Sequence, residues 1–192
     1  KNGEFTTDSK GTILISDLEP GSTVIVTEVR AKDGYVLDNV PQSIKIKAGE
    51  TVTLEFRNQP KGQLIIVKKD SVTGEVLKGV TFRITTSTGE YVPDKNGQIS
   101  SNGLYYTDAN GQIILSGVNP GTYVVTEVAT IDGYVLNSTS QTVVVNPNDT
   151  QTLTFYNDPM GGLQIIKSDE SSGKRISGVR FEVRKVNGEI VG

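Results

Sequence analysis

The chain is expected to be all-β, built as repeated sandwiches of about seven strands, and three observations carry that expectation. Short segments rich in Val, Ile, Thr and Tyr alternate with turn signals such as Glu19-Pro20-Gly21, Asn110-Gly111 and Asn119-Pro120-Gly121. No stretch sustains a helical period. The same text is also written twice. Glu28, in Val26-Thr27-Glu28-Val29, returns 99 positions later as Glu127, and Asp33-Gly34-Tyr35-Val36-Leu37 returns as Asp132-Gly133-Tyr134-Val135-Leu136. Asn58 returns as Asn157 and Lys68 as Lys167. A period of this length marks a structural repeat.

Taken in order, the elements divide the chain into three. Residues 61–160 hold a complete repeat. Residues 161–192 match its first third, with Gly74, Gly79 and Gly89 recurring as Gly173, Gly178 and Gly188. Residues 1–60 match the remainder, with Thr107-Asp108 and Pro120-Gly121 corresponding to Thr7-Asp8 and Pro20-Gly21. Gly192 aligns with Pro93 and Lys1 with Ser101, so only the loop from Asp94 to Ser100 lacks a counterpart. The end fragments therefore add up to one repeat split in a loop.

A piece of 32 residues falls below the roughly 40 usually needed to fold alone, and its complement would expose an open sheet edge. The linker around Pro159-Met160-Gly161 is too short to double back across a strand of ~33 Å. The expectation is head-to-tail pairing between copies, as a ring or fibre. Met160, the only Met, stands where one repeat passes to the next. It reads either as an ordinary linker residue or as a former start. The second reading makes the chain a circular permutant by design, cut in an exposed loop.

Composition removes several function classes. Hydrophobic residues make up 35% of the chain, which suits a globular protein and not a disordered one. A net charge of −3 argues against nucleic acid. No apolar run approaches membrane-spanning length. With no Cys and no His, thiol catalysis, a Ser-His-Asp triad and the usual zinc sites are excluded. No cofactor or metal is expected. Asp94-Lys95-Asn96-Gly97 and Asp108-Ala109-Asn110-Gly111 offer oxygen ligands for calcium, but Asp, Asn and Gly are also what tight turns need.

Strand alternation shows where the repeated polar residues point. Leu64, Ile66 and Lys68 share one face, as do Leu163, Ile165 and Lys167, whereas Lys69 points the other way. Tyr123, Val125 and Glu127 share a face, and so do Val24, Val26 and Glu28. Asn157 follows Phe155 by two residues, and Asn58 follows Phe56 by two. Each polar residue continues an apolar, inward stripe, so the set should be mutually satisfying. Spacing alone favours a buried Lys–Glu pair completed by Asn. The alternative is covalent: burial lowers a Lys pKa and raises a Glu pKa, leaving an amine nucleophile beside an amide carbon.

The stretch from Tyr123 to Tyr134 resembles the E-box of Gram-positive pilins and adhesins, Tyr-x-Leu-x-Glu-Thr-x-Ala-Pro-x-Gly-Tyr. It departs from that pattern at the Pro, which is Ile131 here and Lys32 in the first copy. Lys68-Lys69-Asp70, Gly79-Val80-Thr81-Phe82 and Phe155-Tyr156-Asn157 look like the other signatures of the collagen-adhesin B-type domain. The resemblance spans the whole chain. It implies a transthyretin-like, inverse immunoglobulin sandwich with a self-forming isopeptide bond between first and last strands. By position the sets are Lys68, Glu127 and Asn157, and, for the split domain, Lys167, Glu28 and Asn58. The Lys and Asn residues form the crosslinks, and Glu127 and Glu28 assist.

That resemblance turns the preference towards the covalent reading. It implies an extracellular stalk module of a wall-anchored adhesin or pilus, with Lys167 of one copy joined to Asn58 of the next. The bond would form once, without turnover, so no enzyme is expected. The alternatives are an adhesin module gripping a host ligand and a plain fragment of a repeat array. A hydrolase of transthyretin-like fold would need a His-dependent site, for which this chain has no residue.

Overall fold

The computed structural model describes residues 3–93, 100 and 102–191. Three of the positions aligned above, Lys1, Ser101 and Gly192, and residues 94–99 of the loop lie outside these. The described residues are all-β: nine strands, with no helix among them. They divide into two compact units, 1–159 and 160–192.

In the first unit, β1 (Thr23–Val26) and β2 (Gln42–Lys45) form a two-stranded antiparallel ribbon, with Thr23 opposite Lys45 and Val26 opposite Gln42. The complete repeat supplies the other seven. These are β3 (Gly62–Asp70), β4 (Thr81–Thr86), β5 (Leu104–Tyr106), β6 (Gln112–Val118), β7 (Gly121–Ala129), β8 (Gln141–Val145) and β9 (Thr150–Asn157). They make a three-stranded sheet in the order β6-β3-β9 and a four-stranded sheet in the order β5-β4-β7-β8.

The two sheets bury one face each. Along β3 the burial alternates strictly, putting Leu64, Ile66, Lys68 and Asp70 inside, as period-two geometry requires. Leu64, Ile66 and Leu115 from one sheet meet Phe82, Ile84 and Val125 from the other in a single core. Phe82 and Phe155 touch edge to face, with ring centroids 4.9 Å apart and planes at 65°, the arrangement aromatic quadrupoles prefer. The first and last strands of the repeat, β3 and β9, run parallel, from Gln63 opposite Thr150 to Asp70 opposite Asn157.

The second unit consists of turns closed by two isolated bridges, Ser168 with Arg175 and Arg184 with Ile190. Each has its counterpart 99 positions earlier, at Lys69 with Val76 and Thr85 with Tyr91.

Candidate functional site

Lys68 sits on the inner face of β3, and both its backbone groups are tied down. Its N–H donates to Gly111 O at 2.8 Å, and its carbonyl accepts from Leu77 N at 2.9 Å. Gly111 can approach this closely because it has no side chain: at φ +66° an added Cβ would stand 2.9 Å from Lys68 O and 2.7 Å from Val76 Cβ. The loop opened by Asp108 supplies that glycine. Asp108 Oδ1 accepts from the N–H groups of Asn110 and Gln112, so this candidate calcium loop has turn bonding of its own. Its companion at residues 94–97 lies outside the described residues.

β7 brings Glu127 to the same place and β9 brings Asn157. All three side chains are buried: Lys68 and Glu127 are fully inaccessible, and Asn157 is 1% exposed. Lys68 Nζ donates to Asn157 Oδ1 at 2.7 Å. Asn157 Nδ2 donates to Glu127 Oε1 at 2.5 Å and to Thr130 Oγ1 at 2.7 Å. Glu127 Oε2 lies 2.9 Å from Lys68 Nζ. That is ion-pair range, but off the line of an aligned hydrogen bond, and no other described group bonds it. Burial, the largest influence on Lys68, holds its pKa below the usual lysine value, against the opposing pull of Glu127.

This arrangement places an amine of lowered basicity against the oxygen side of a carboxamide, with a carboxylate on the nitrogen side. The sequence reading named Lys68, Glu127 and Asn157, and the fold gathers these three. Lys69, on the opposite face of β3, stays partly exposed. Thr130 was missed, because strict alternation from Glu127 does not place it at the site.

The matching residues of the outer segments fall in different units. Within 1–159, Asn58 Nδ2 donates to half-buried Glu28 Oε1 at 2.6 Å, and Glu28 Oε2 accepts from Asp38 N at 3.0 Å. Within 160–192, Lys167 is exposed, its Nζ 3.5 Å from Ser168 O.

Residues 1–60 and 62–159 match the SpaA prealbumin-like fold domain. The chain belongs to this family. Among solved structures similar to this prealbumin-like chain is the Bacillus anthracis TIE protein, at 28% identity over 80% of this chain and a TM-score of 0.45. The minor pilin GBS52 of Streptococcus agalactiae is 22% identical over 84% of this chain and 69% of its own, with a TM-score of 0.45. The shaft pilin SpaA of Lactobacillus rhamnosus GG is 22% identical over 83% of this chain and 70% of its own, with a TM-score of 0.46. The chain spans 28% of the length of the Bacillus protein. No match was found among curated protein sequences.

Proposed function

We propose that this chain is a structural stalk module of a Gram-positive surface adhesin or pilus, and that its repeats weld themselves with Lys–Asn isopeptide bonds. The observation that carries the reading is the buried contact of Lys68 Nζ with Asn157 Oδ1, while Asn157 Nδ2 faces Glu127. The family supports an extracellular, cell-surface setting. The bond would form in one self-directed event, with no turnover.

The chemistry balances with the residues present. A proton passes from Lys68 Nζ to Glu127 Oε2 across 2.9 Å, freeing the nitrogen lone pair. Nζ attacks Asn157 Cγ, and the carbonyl electrons move onto Oδ1. A second proton moves from Nζ to Nδ2, the Cγ–Nδ2 bond breaks, and ammonia leaves. The new amide keeps one hydrogen on Nζ, and Glu127 is left with the proton that Lys68 brought, to be lost to solvent. Burial helps by favouring the neutral amine. Because the proton moves within the Lys68–Glu127 pair, the net protonation of the site does not change, and the rate should be independent of pH while the pair shares that proton.

The same reading extends to the outer segments. Residues 161–192 carry the first strands of a repeat and residues 1–60 the rest, so each is read as part of a split domain beside the complete one at 61–160. Lys167 of one copy would join Asn58 of another, assisted by Glu28. The half-buried Glu28–Asn58 pair supports this, since it repeats the geometry of Glu127 with Asn157.

A boiled, denaturing gel with mass spectrometry of each band tests both parts. A monomer lacking one ammonia establishes the Lys68–Asn157 bond alone. A ladder whose steps each lack a further ammonia adds the bond between copies, which Lys167→Ala should abolish and which Glu28→Ala should stop while sparing the middle bond. A monomer of full mass would overturn the crosslinking reading.

A further inference from the structure

β7 loses its alternation at its end. Tyr123, Val125 and Glu127 are buried at every second position, yet Ala129 is exposed. The cause is a bulge. Phe82 pairs with Glu127 but Thr81 pairs with Ala129, so β7 advances two residues while β4 advances one, and Val128 is the extra residue. Bulges shift the phase of a strand and re-aim the side chains that follow. Thr130, three residues beyond Glu127, thereby turns its hydroxyl to the same group that Glu127 bonds.

A primary carboxamide has two N–H donors and one oxygen acceptor. In Asn157 all are engaged: one N–H on Glu127 Oε1, the other on Thr130 Oγ1, and Oδ1 on Lys68 Nζ. Turning the amide over would set Nδ2 against the lysine donor and Oδ1 against a carboxylate oxygen. The position matching Thr130 in the first copy is Ala31, and the E-box pattern quoted above also has Ala there. The second acceptor therefore belongs to the complete repeat and is missing from its counterpart.

Resting on the crosslinking reading, we propose that Thr130 is a second acceptor on the leaving nitrogen of Asn157 and accelerates the Lys68–Asn157 bond. Its oxygen fixes the carboxamide with Oδ1 towards Lys68 and Nδ2 towards Glu127. As Nδ2 takes up its proton and departs, positive character grows on nitrogen and the bond to Oγ1 strengthens. An interaction stronger in the transition state than before it raises the rate. The hydroxyl takes no proton for itself, so it changes the speed of the reaction and not its pH dependence.

The test uses the full chain made by cell-free synthesis, with timed aliquots quenched in denaturant. The peptide joining Lys68 to Asn157 is followed by mass spectrometry, apart from any Lys167–Asn58 peptide. Thr130→Val, which keeps the shape and removes the oxygen, is expected to slow the link about tenfold with an unchanged pH profile. Thr130→Ser should restore a rate close to the parent's. Melting of Glu127→Gln with and without Thr130→Val, neither able to crosslink, should show both folded at the reaction temperature. A parent rate in Thr130→Val would overturn the proposal. So would a Ser variant as slow as Val, or a slowing matched by loss of fold. Absence of the link in the parent would instead sink the crosslinking reading on which the proposal stands.

Discussion

The complete repeat and the outer segments carry one sequence pattern in two conditions. In residues 61–159, Leu64 and Phe82 are fully buried; their counterparts Leu163 and Phe181 are 73% and 54% exposed. The turns do not share this difference. Gly74 N bonds Asp70 O as Gly173 N bonds Asp169 O, and Leu77 N bonds Lys68 O as Ile176 N bonds Lys167 O. The ribbon of β1 and β2 also keeps the register of β7 and β8, since Thr23 opposite Lys45 repeats Thr122 opposite Val144. Turns and hairpin ribbons are encoded locally, and the sandwich is not. Its central ladders join residues far apart in sequence, so they form only where both partners are supplied.

The largest effect should come from Lys68→Ala. Removing one partner of a fully buried ion pair strands the other charge, at a cost of about 3–5 kcal/mol, and the middle repeat should also keep its ammonia. Lys167→Ala should leave the melting of an unlinked single chain unchanged, as followed by circular dichroism. A core pair comes next. Ile66→Ala should cost about 2–5 kcal/mol by denaturant titration, whereas Ile165→Ala should cost less than about 0.5 kcal/mol. A large loss at Ile165 at high protein concentration alone would show that copies complete each other.

The glycines give a finer version of the same contrast. Gly111→Ala meets both a positive φ and the crowding of Val76 and Lys68, and should cost about 1–3 kcal/mol. Gly11→Ala, at φ +74° with nothing within 4 Å, should cost only the backbone term of about 1 kcal/mol. Equal costs would erase the distinction between filled and open repeats.

The smallest effect concerns acid. The Thr73 N–H, with that of Val72 and the Tyr134 hydroxyl, holds the Asp70 carboxyl below the usual value. The side chains of Ser172 and Ser171 bring Asp169 down to about 2. Both pKa values are depressed on folding, so the stabilisation is complete above the ordinary carboxylate value of 3.8. It fades as pH falls through each folded pKa. Carboxyl NMR titration should find both midpoints below 3.8, with Tyr134→Phe raising that of Asp70 and leaving Asp169 unchanged.

Much of this was legible in the sequence because period two and a fixed offset are local signals. They placed Lys68, Glu127 and Asn157 inward on their strands and separated Lys68 from Lys69. The bulge at Val128 was not legible, since it depends on how β7 meets β4, and so Thr130 went unseen. Nor does any local signal reveal the burial state of Lys167. Its segment carries the same alternation as β3, but alternation says which face would be covered and not whether a cover is present.

The parallel pairing of β3 with β9 has a mechanical consequence. Tension applied at Gly62 and Asn157 slides two neighbouring strands past each other, so the ladder from Gln63–Thr150 to Asp70–Asn157 is loaded in shear and all its bonds resist together. Peeling would break them one at a time. With Lys68 joined to Asn157, the force would cross at the far end of β3 and leave at once. Two residues 89 positions apart would become neighbours along the load path, and the core between them would hang beside the tensioned line, bearing none of it.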